Sequence, residues 1–211
     1  MKISAIVLAA GESKRMGRNK LLLDIGRQTL IERVTEAVSN SQVDRVIVVT
    51  GFDRDSVRKK LVEKNVRVVY NRRYQEGMAT SIREGLKHID PEAHSVLIAL
   101  GDQPLIGSRM IDQLIDAHRK ASKGIACPTF RGRRGHPVIF DLEKYGKGLS
   151  ELRGDIGGRK LLEAHTDDLL EVAVDCPGAI RDIDVWKDYE ELLELMVRRS
   201  DRVDKGGKSD V

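Results

Sequence analysis

Aromatic side chains are scarce, with one Trp, three Phe and four Tyr making up 4% of 211 residues. A core drawn from this chain has to be aliphatic. Cysteine is almost missing as well: Cys127 and Cys176 stand far apart, each before a proline, in no C-x-x-C pair and no metal-ligand spacing. They read as buried free thiols in a reducing compartment. No apolar run approaches the ~20 residues that a membrane helix needs, and the chain enters a strand directly with no hydrophobic leader. The expected location is the cytoplasm, with no membrane partner. Charge of one sign is lacking too, since 37 basic residues face 33 acidic ones for a net +4, and the two signs are interspersed. Nucleic acid is therefore not an expected partner.

The hydrophobic content of 40% is enough for one α/β domain with a good core, expected over residues 1–199. The tail at 200–211, S-D-R-V-D-K-G-G-K-S-D-V, is almost without apolar residues and is expected to be disordered. Strand patterns at 3–8, 45–50, 66–70, 95–100 and 125–129 alternate with helical ones. The helices are expected at 29–39 with Thr29 as cap, from Asp53 or Asp55 to 64, at 79–88, and after a Ser108 cap with Met110, Ile111, Leu114 and Ile115 buried. A glycine-turned hairpin is expected at 130–140, then a turn and short helix at 154–162, a strand at 170–175 and a closing helix at 186–199. Such alternation predicts a three-layer α/β sandwich with a mostly parallel sheet.

The densest signal lies in residues 3–20, I-S-A-I-V-L-A-A-G-E-S-K-R-M-G-R-N-K. Its near-continuous apolar run suits a parallel strand covered on both faces, and Gly11 and Gly17 then free the backbone to approach a ligand. Lys14, Arg15, Arg18 and Lys20 oppose only Glu12 there, a cluster that requires an anion. Two familiar phosphate loops do not fit. Five residues stand between Gly11 and Gly17, followed by Arg18, where a Walker loop has four and a lysine. Ser13 replaces the second glycine of a dinucleotide fingerprint, which argues against a nicotinamide enzyme.

G-D-Q-P at 101–104 closes the strand 95–100, and ligands of parallel sheets sit outside that carboxyl end. Asp102 is there either a turn cap or a ligand of Mg²⁺, which takes oxygen donors; the basic loop at the same edge favours the ion. In D-I-D, Asp182 and Asp184 fall on one side of an extended segment with Ile183 toward the core. One of them, Asp184 in preference, is expected to join Asp102.

L-A-A-G-x-S-x-R-M-G-x-x-K in the first loop is followed in order by N-R-R-Y-Q-E-G-M-A-T-S at 71–81, G-D-Q-P, R-G-H-P-V-I-F at 134–140 and D-I-D at 182–184. With these motifs the chain resembles the cytidylyltransferases of the molybdenum cofactor pathway, among the MobA-like NTP transferases. The resemblance implies a nucleotide-diphospho-sugar transferase-like fold and a Mg²⁺-dependent transfer of CMP from CTP to the phosphate of a molybdopterin-type acceptor, with release of pyrophosphate. It also implies a molybdenum hydroxylase as recipient of the product. Related guanylyltransferases carry two glycines where Ala10 and Gly11 stand, which points to a pyrimidine nucleotide here.

Carried over by the same resemblance, Arg15, Lys20 and Asp102 are catalytic, and Asp102 and Asp184 hold the metal. Leu8, Ala9, Ala10, Gly11, Ser13, Gly77, Thr80 and Ser81 join Arg15 and Lys20 around the nucleotide. Gly135, His136 and Asp155 fall on the acceptor side. From the residues alone, Thr80 and Ser81 serve equally well as helix caps, His136 as a turn tip, and the glycines around Asp155 as a plain turn. The family continues D-I-D-T-P, whereas this chain has Val185 and Trp186. Another phosphorylated acceptor such as a sugar phosphate, GTP as donor, and a non-catalytic cofactor carrier stand as alternative readings.

Overall fold

The computed structural model of the protein describes residues 1–155 and 157–206, with side chains through 197. In chain order the elements are β1 (Ile3–Ala9), a short ribbon of β2 (Asp24–Ile25) and β3 (Gln28–Thr29), α1 (Leu30–Ser39), β4 (Arg45–Thr50), α2 (Arg54–Lys60), β5 (Arg67–Tyr70) and α3 (Met78–Leu86). They continue as β6 (Ser95–Leu100), α4 (Ser108–Lys120), β7 (Ile125–Phe130), β8 (Arg133–Arg134), β9 (Val138–Asp141), α5 (Leu142–Glu151), α6 (Arg159–Ala164), β10 (Leu169–Ala173) and α7 (Trp186–Gly206).

The main sheet runs β10-β7-β9-β6-β1-β4-β5, with β8 paired to β7. β1 pairs in parallel with β4 and β6, β4 with β5, and β7 with β10, whereas β9 lies antiparallel between β6 and β7. β1 is central and buried on both faces, as its near-continuous apolar run requires. Ile3, Ala5, Val7 and Ala9 pack under Ile31 and Val34 of α1, Val57 of α2, and Met110, Ile111, Leu114 and Ile115 of α4. Ile6 faces the other way, toward Ala79 and Ile82 of α3, Tyr145 and Leu149 of α5, and Leu162 of α6. Two helical layers around one sheet make the expected sandwich. A third, smaller cluster joins Met16, Leu23, Ile25, Leu30, Ile183 and Leu192 and so ties the first loop to the C-terminal segment.

Local chemistry sets most element ends. Thr29 caps α1 in a full capping box with Glu32, whose carboxylate accepts the Thr29 N–H at 2.8 Å. α2 stops at Lys60 instead of 64, because the Leu61 N–H turns back to Arg58 O and buries the leucine. α4 has Gly107 as its N-cap, so Ser108 is its first helical residue and makes no cap bond. In α3, Gly85 lies against Ile6, whose Cγ2 would stand 2.7 Å from an added Cβ. α5 and the β2–β3 ribbon were not expected from the sequence. α7 extends to Gly206, beyond the expected end at 199 and into part of the expected tail; residues 207–211 of that tail lie outside the described residues. No described helix is long and apolar enough to cross a membrane.

Asp168 fastens the layer of α5 to the sheet. Its carboxylate accepts the Gly124 N–H at 3.0 Å and the Tyr145 hydroxyl at 2.8 Å, with Lys144 Nζ 3.1 Å away. Burial works to raise its pKa, but these donors outweigh it and hold the group at about 2. A depressed native pKa contributes stability above the unfolded value of 3.8, and that contribution is lost as pH falls through about 2. Solvent screening at this partly exposed site limits it to about 1 kcal/mol. Asp168→Asn should therefore lower the urea midpoint at neutral pH and flatten its decline between about pH 4 and 2; an unchanged acid slope would remove Asp168 as the cause.

Candidate active site

The chain leaves β1 for β4 and β5 on one side, then returns to β6 on the other, so the connections part at the paired carboxyl ends of β1 and β6 and a crevice opens there. A cleft of about 750 Å³ occupies this position. Leu8, Ala9, Ala10, Gly11, Ser13, Arg15, Lys20, Gly77, Ser81, Asp102, Asp155, Asp182 and Asp184 all line it. Thr80, Gly135 and His136 do not.

The first loop is held at both ends. Met16 and Leu21 bury as anchors, Ser13 adopts the left-handed region at φ 53°, and its Oγ accepts the Lys20 N–H at 3.1 Å. On the β6 side the Gly101 N–H donates to Leu8 O at 2.9 Å, and an added Cβ on Gly101 would meet the same oxygen at 2.9 Å. Glycine is what lets the two strand ends approach. Asp102 O in turn accepts the Ile183 N–H at 3.0 Å, which brings D-I-D alongside. Ile183 is buried in the third cluster with Asp182 and Asp184 flanking it toward the cleft. Where the family has T-P, Asp188 accepts the backbone N–H groups of Asp184 and Val185 at 2.9 Å each and fixes the turn into α7.

Lys20 reaches into this cluster. Its Nζ lies 2.6 Å from Asp102 Oδ2 and 2.7 Å from Asp184 Oδ1, while Arg15 Nη2 holds the other oxygen of Asp184 at 2.7 Å. Burial works against the lysine charge, but Asp102 and Asp184 outweigh it and raise its pKa. Burial pushes the Asp102 carboxyl up, with Lys20 opposing. For Asp184, Lys20 and Arg15 overcome burial and hold the carboxyl below its ordinary value. One oxygen from each of Asp102, Asp182 and Asp184 falls within 4.8 Å of the others, and Asp102 Oδ1 is buried with no hydrogen-bond partner among the described residues. Three hard oxygen donors with one acceptor unsatisfied fit a divalent cation such as Mg²⁺.

Some of the expected site residues already have protein partners. The N-terminus of α3 is not open to a phosphate: the Met78 N–H donates to Asp155 Oδ1 at 3.2 Å and the Ala79 N–H to Gly154 O at 3.1 Å. Gly77, at φ 105°, permits this contact, since an added Cβ would lie 2.4 Å from the Gly154 carbonyl carbon. Thr80 turns inward, its Oγ1 near Gly77 O and Arg73 O and accepting from Asn71 Nδ2 at 2.7 Å. Ser81 stays on the cleft wall and accepts from the same amide at 2.9 Å. Asp155 lines the cleft beside Met78 and Ser81.

The β8–β9 turn does not hold His136 at an exposed tip. Gly135 packs against Ala179, whose carbonyl oxygen accepts the His136 N–H at 2.8 Å. The imidazole is turned inward, where burial lowers its pKa against the opposing influence of the Ile98 backbone and Asp182. Arg134 pairs with Glu171 at 2.6 Å, and Arg131 stacks over Phe130.

Sequence reasoning missed residues at the cleft mouth. Gln75 Nε2 donates to Glu12 Oε1 at 3.0 Å, Lys14 Nζ pairs with Glu12 at 2.8 Å, and Tyr74 and Met78 complete that wall. Their signal was present in Y-Q-E-G-M at 74–78, read only as a motif.

Comparison with known proteins agrees with this geometry. Nicotine blue oxidoreductase of Paenarthrobacter nicotinovorans is 29% identical over 203 residues, 90% of this chain and 96% of that protein. The crystal structure of Rv0371c from Mycobacterium tuberculosis H37Rv in complex with manganese superposes with a TM-score of 0.79 at 29% identity, covering 92% of this chain and 99% of that one. A nucleotidyl transferase from Methanothermobacter superposes at 0.81 with 26% identity, covering 94% and 99%. The MobA-like NTP transferase domain matches residues 5–170, the stretch that carries the sheet, the basic loop and Asp102, and the chain belongs to that family.

Proposed function

We propose that the protein is a cytidylyltransferase that moves CMP from CTP to the phosphate of a molybdopterin-type acceptor. The observation that supports it most is Lys20, held with Arg15 against Asp102 and Asp184 at the switch point of the sheet. An oxygen of the acceptor phosphate attacks the α-phosphorus of CTP, the bond from that phosphorus to the bridging oxygen breaks, and pyrophosphate leaves with the electron pair. The acceptor phosphate is already anionic near neutral pH, so no general base is required. Catalysis then rests on positioning and charge neutralisation. The carboxylates of Asp102 and Asp184, with Asp182 beside them, would hold a divalent ion, which when bound supplies positive charge to the reacting phosphates. Lys20 and Arg15 stabilise charge on the departing pyrophosphate. A molybdenum hydroxylase in the cytoplasm is the proposed recipient of the product.

The base preference rests on Ala9-Ala10-Gly11. Ala10 is fixed between strands, its carbonyl accepting the Phe52 N–H at 3.2 Å, so its methyl group narrows the loop in a defined place. CTP should exceed GTP in kcat/KM by ~100-fold, the scale that differently placed base-edge hydrogen bonds support. Ala10→Gly should narrow the ratio. Pyrophosphate release with molybdopterin and each triphosphate is the measurement; equal rates would sink the cytidylyl assignment, and no release with any acceptor phosphate would sink the transferase.

The similarity to nicotine blue oxidoreductase supports a second reading, an oxidoreductase, for which a nicotinamide cofactor is the donor to test first. NADH and NADPH titrations separate the two, because the transferase reading expects no saturable binding of either.

A further inference from the structure

We propose that Lys20 is a resident counter-ion occupying the cation seat of the free protein, so that a divalent ion and the nucleotide enter together. The Lys20 side chain is 13% exposed, and its Nζ bridges Asp102 and Asp184 at 2.6 and 2.7 Å. Arg15 takes the other oxygen of Asp184, so among the described residues only Asp102 Oδ1 of these four oxygens is without a partner. An ion that takes one oxygen from each of Asp102 and Asp184 has to displace Lys20 or Arg15 from Asp184, and Lys20, which bridges both carboxylates, competes most directly for that seat.

Charge counting gives the displacement its direction. Asp102, Asp182 and Asp184 carry three negative charges against two positive ones on Lys20 and Arg15, a net of one negative. A divalent ion alone inverts this to one positive in a partly buried cluster, where like charges a few ångströms apart repel strongly. A triphosphate arriving with the ion brings more than enough negative charge to remove that positive excess, and it gives the Lys20 ammonium a new partner outside the carboxylate pair. The competition for the seat rests on geometry alone; only the identity of the arriving anion rests on the transferase reading.

The test is Mn²⁺ affinity without nucleotide, read from the electron paramagnetic resonance signal of free Mn²⁺, for the parent protein and for Lys20→Met and Lys20→Arg. Lys20→Met should bind Mn²⁺ at least ~10-fold more tightly than the parent, while Lys20→Arg, which keeps the charge, should bind no more tightly. A Lys20→Met protein that binds Mn²⁺ no more tightly than the parent overturns the proposal. If Lys20→Met does not fold, the parent decides through its own lysine. Acetylation of Lys20, followed by peptide mass spectrometry, should rise at least ~5-fold when Mn²⁺ saturates the site without nucleotide, because leaving the carboxylates frees the amine. Unchanged labelling in the Mn²⁺-loaded parent also overturns it. Neither measurement depends on turnover, so failure of the cytidylyltransferase assay leaves this result standing and the reverse holds as well.

Discussion

Asp102→Asn is expected to reduce pyrophosphate release by at least ~1,000-fold, equivalent to about 4 kcal/mol of lost transition-state stabilisation. The amide keeps the shape of the side chain at the end of β6 but loses the negative charge that faces Lys20 and the cation seat. The fold should persist. Asp102 contributes its backbone oxygen to Ile183, a bond the substitution leaves intact, and burial already disfavours its carboxylate charge. Thermal unfolding should therefore shift by only a few degrees, on the order of 1 kcal/mol. Near-parental turnover by the folded variant would remove Asp102 from the metal site and with it the proposed mechanism.

Lys20→Ala should lower kcat by ~100-fold or more while changing KM for CTP by less than ~5-fold. Charge on the leaving oxygens grows mainly in the transition state, and an ammonium moved from the carboxylates onto the triphosphate meets that charge where it forms. Arg15 cannot take over. It is largely exposed and committed to Asp184, whereas Lys20 alone contacts both Asp102 and Asp184. A loss confined to KM would recast Lys20 as a ground-state anchor for the triphosphate.

The legible parts of the sequence were those where one local rule dominates. The run Ile3–Ala9 announced a central strand, Thr29 and Glu32 announced a helix start, and the alternation in D-I-D placed two aspartates on the cleft side of a buried isoleucine. α5 was hidden because Gly146 and Gly148 interrupt its pattern, although Asp141 caps it by accepting the Lys144 N–H at 2.9 Å and Tyr145 and Leu149 bury at helical spacing. The closed end of α3 was hidden for a different reason. Its amide groups are satisfied by Gly154 and Asp155, more than seventy residues further along the chain, and no local pattern shows a partner so distant. His136 and Gly135 followed suit, since the contact that turns them inward comes from Ala179.

The third core cluster joins Met16 to Ile183 and Leu192, and the Lys20–Asp184 bond closes a loop of more than 160 residues. During synthesis this sets an order in time. Every strand of the main sheet has emerged by Ala173, with short-range parallel pairs already able to form, while the cation seat still lacks two of its three carboxylates. Closing so long a loop is a late step, because its entropy cost is met only once the rest of the chain is ordered. A nascent chain held at residue 176 should therefore resist proteolysis across β1 and β4 yet bind no Mn²⁺, so the proposed cation seat would come into being only as assembly finishes.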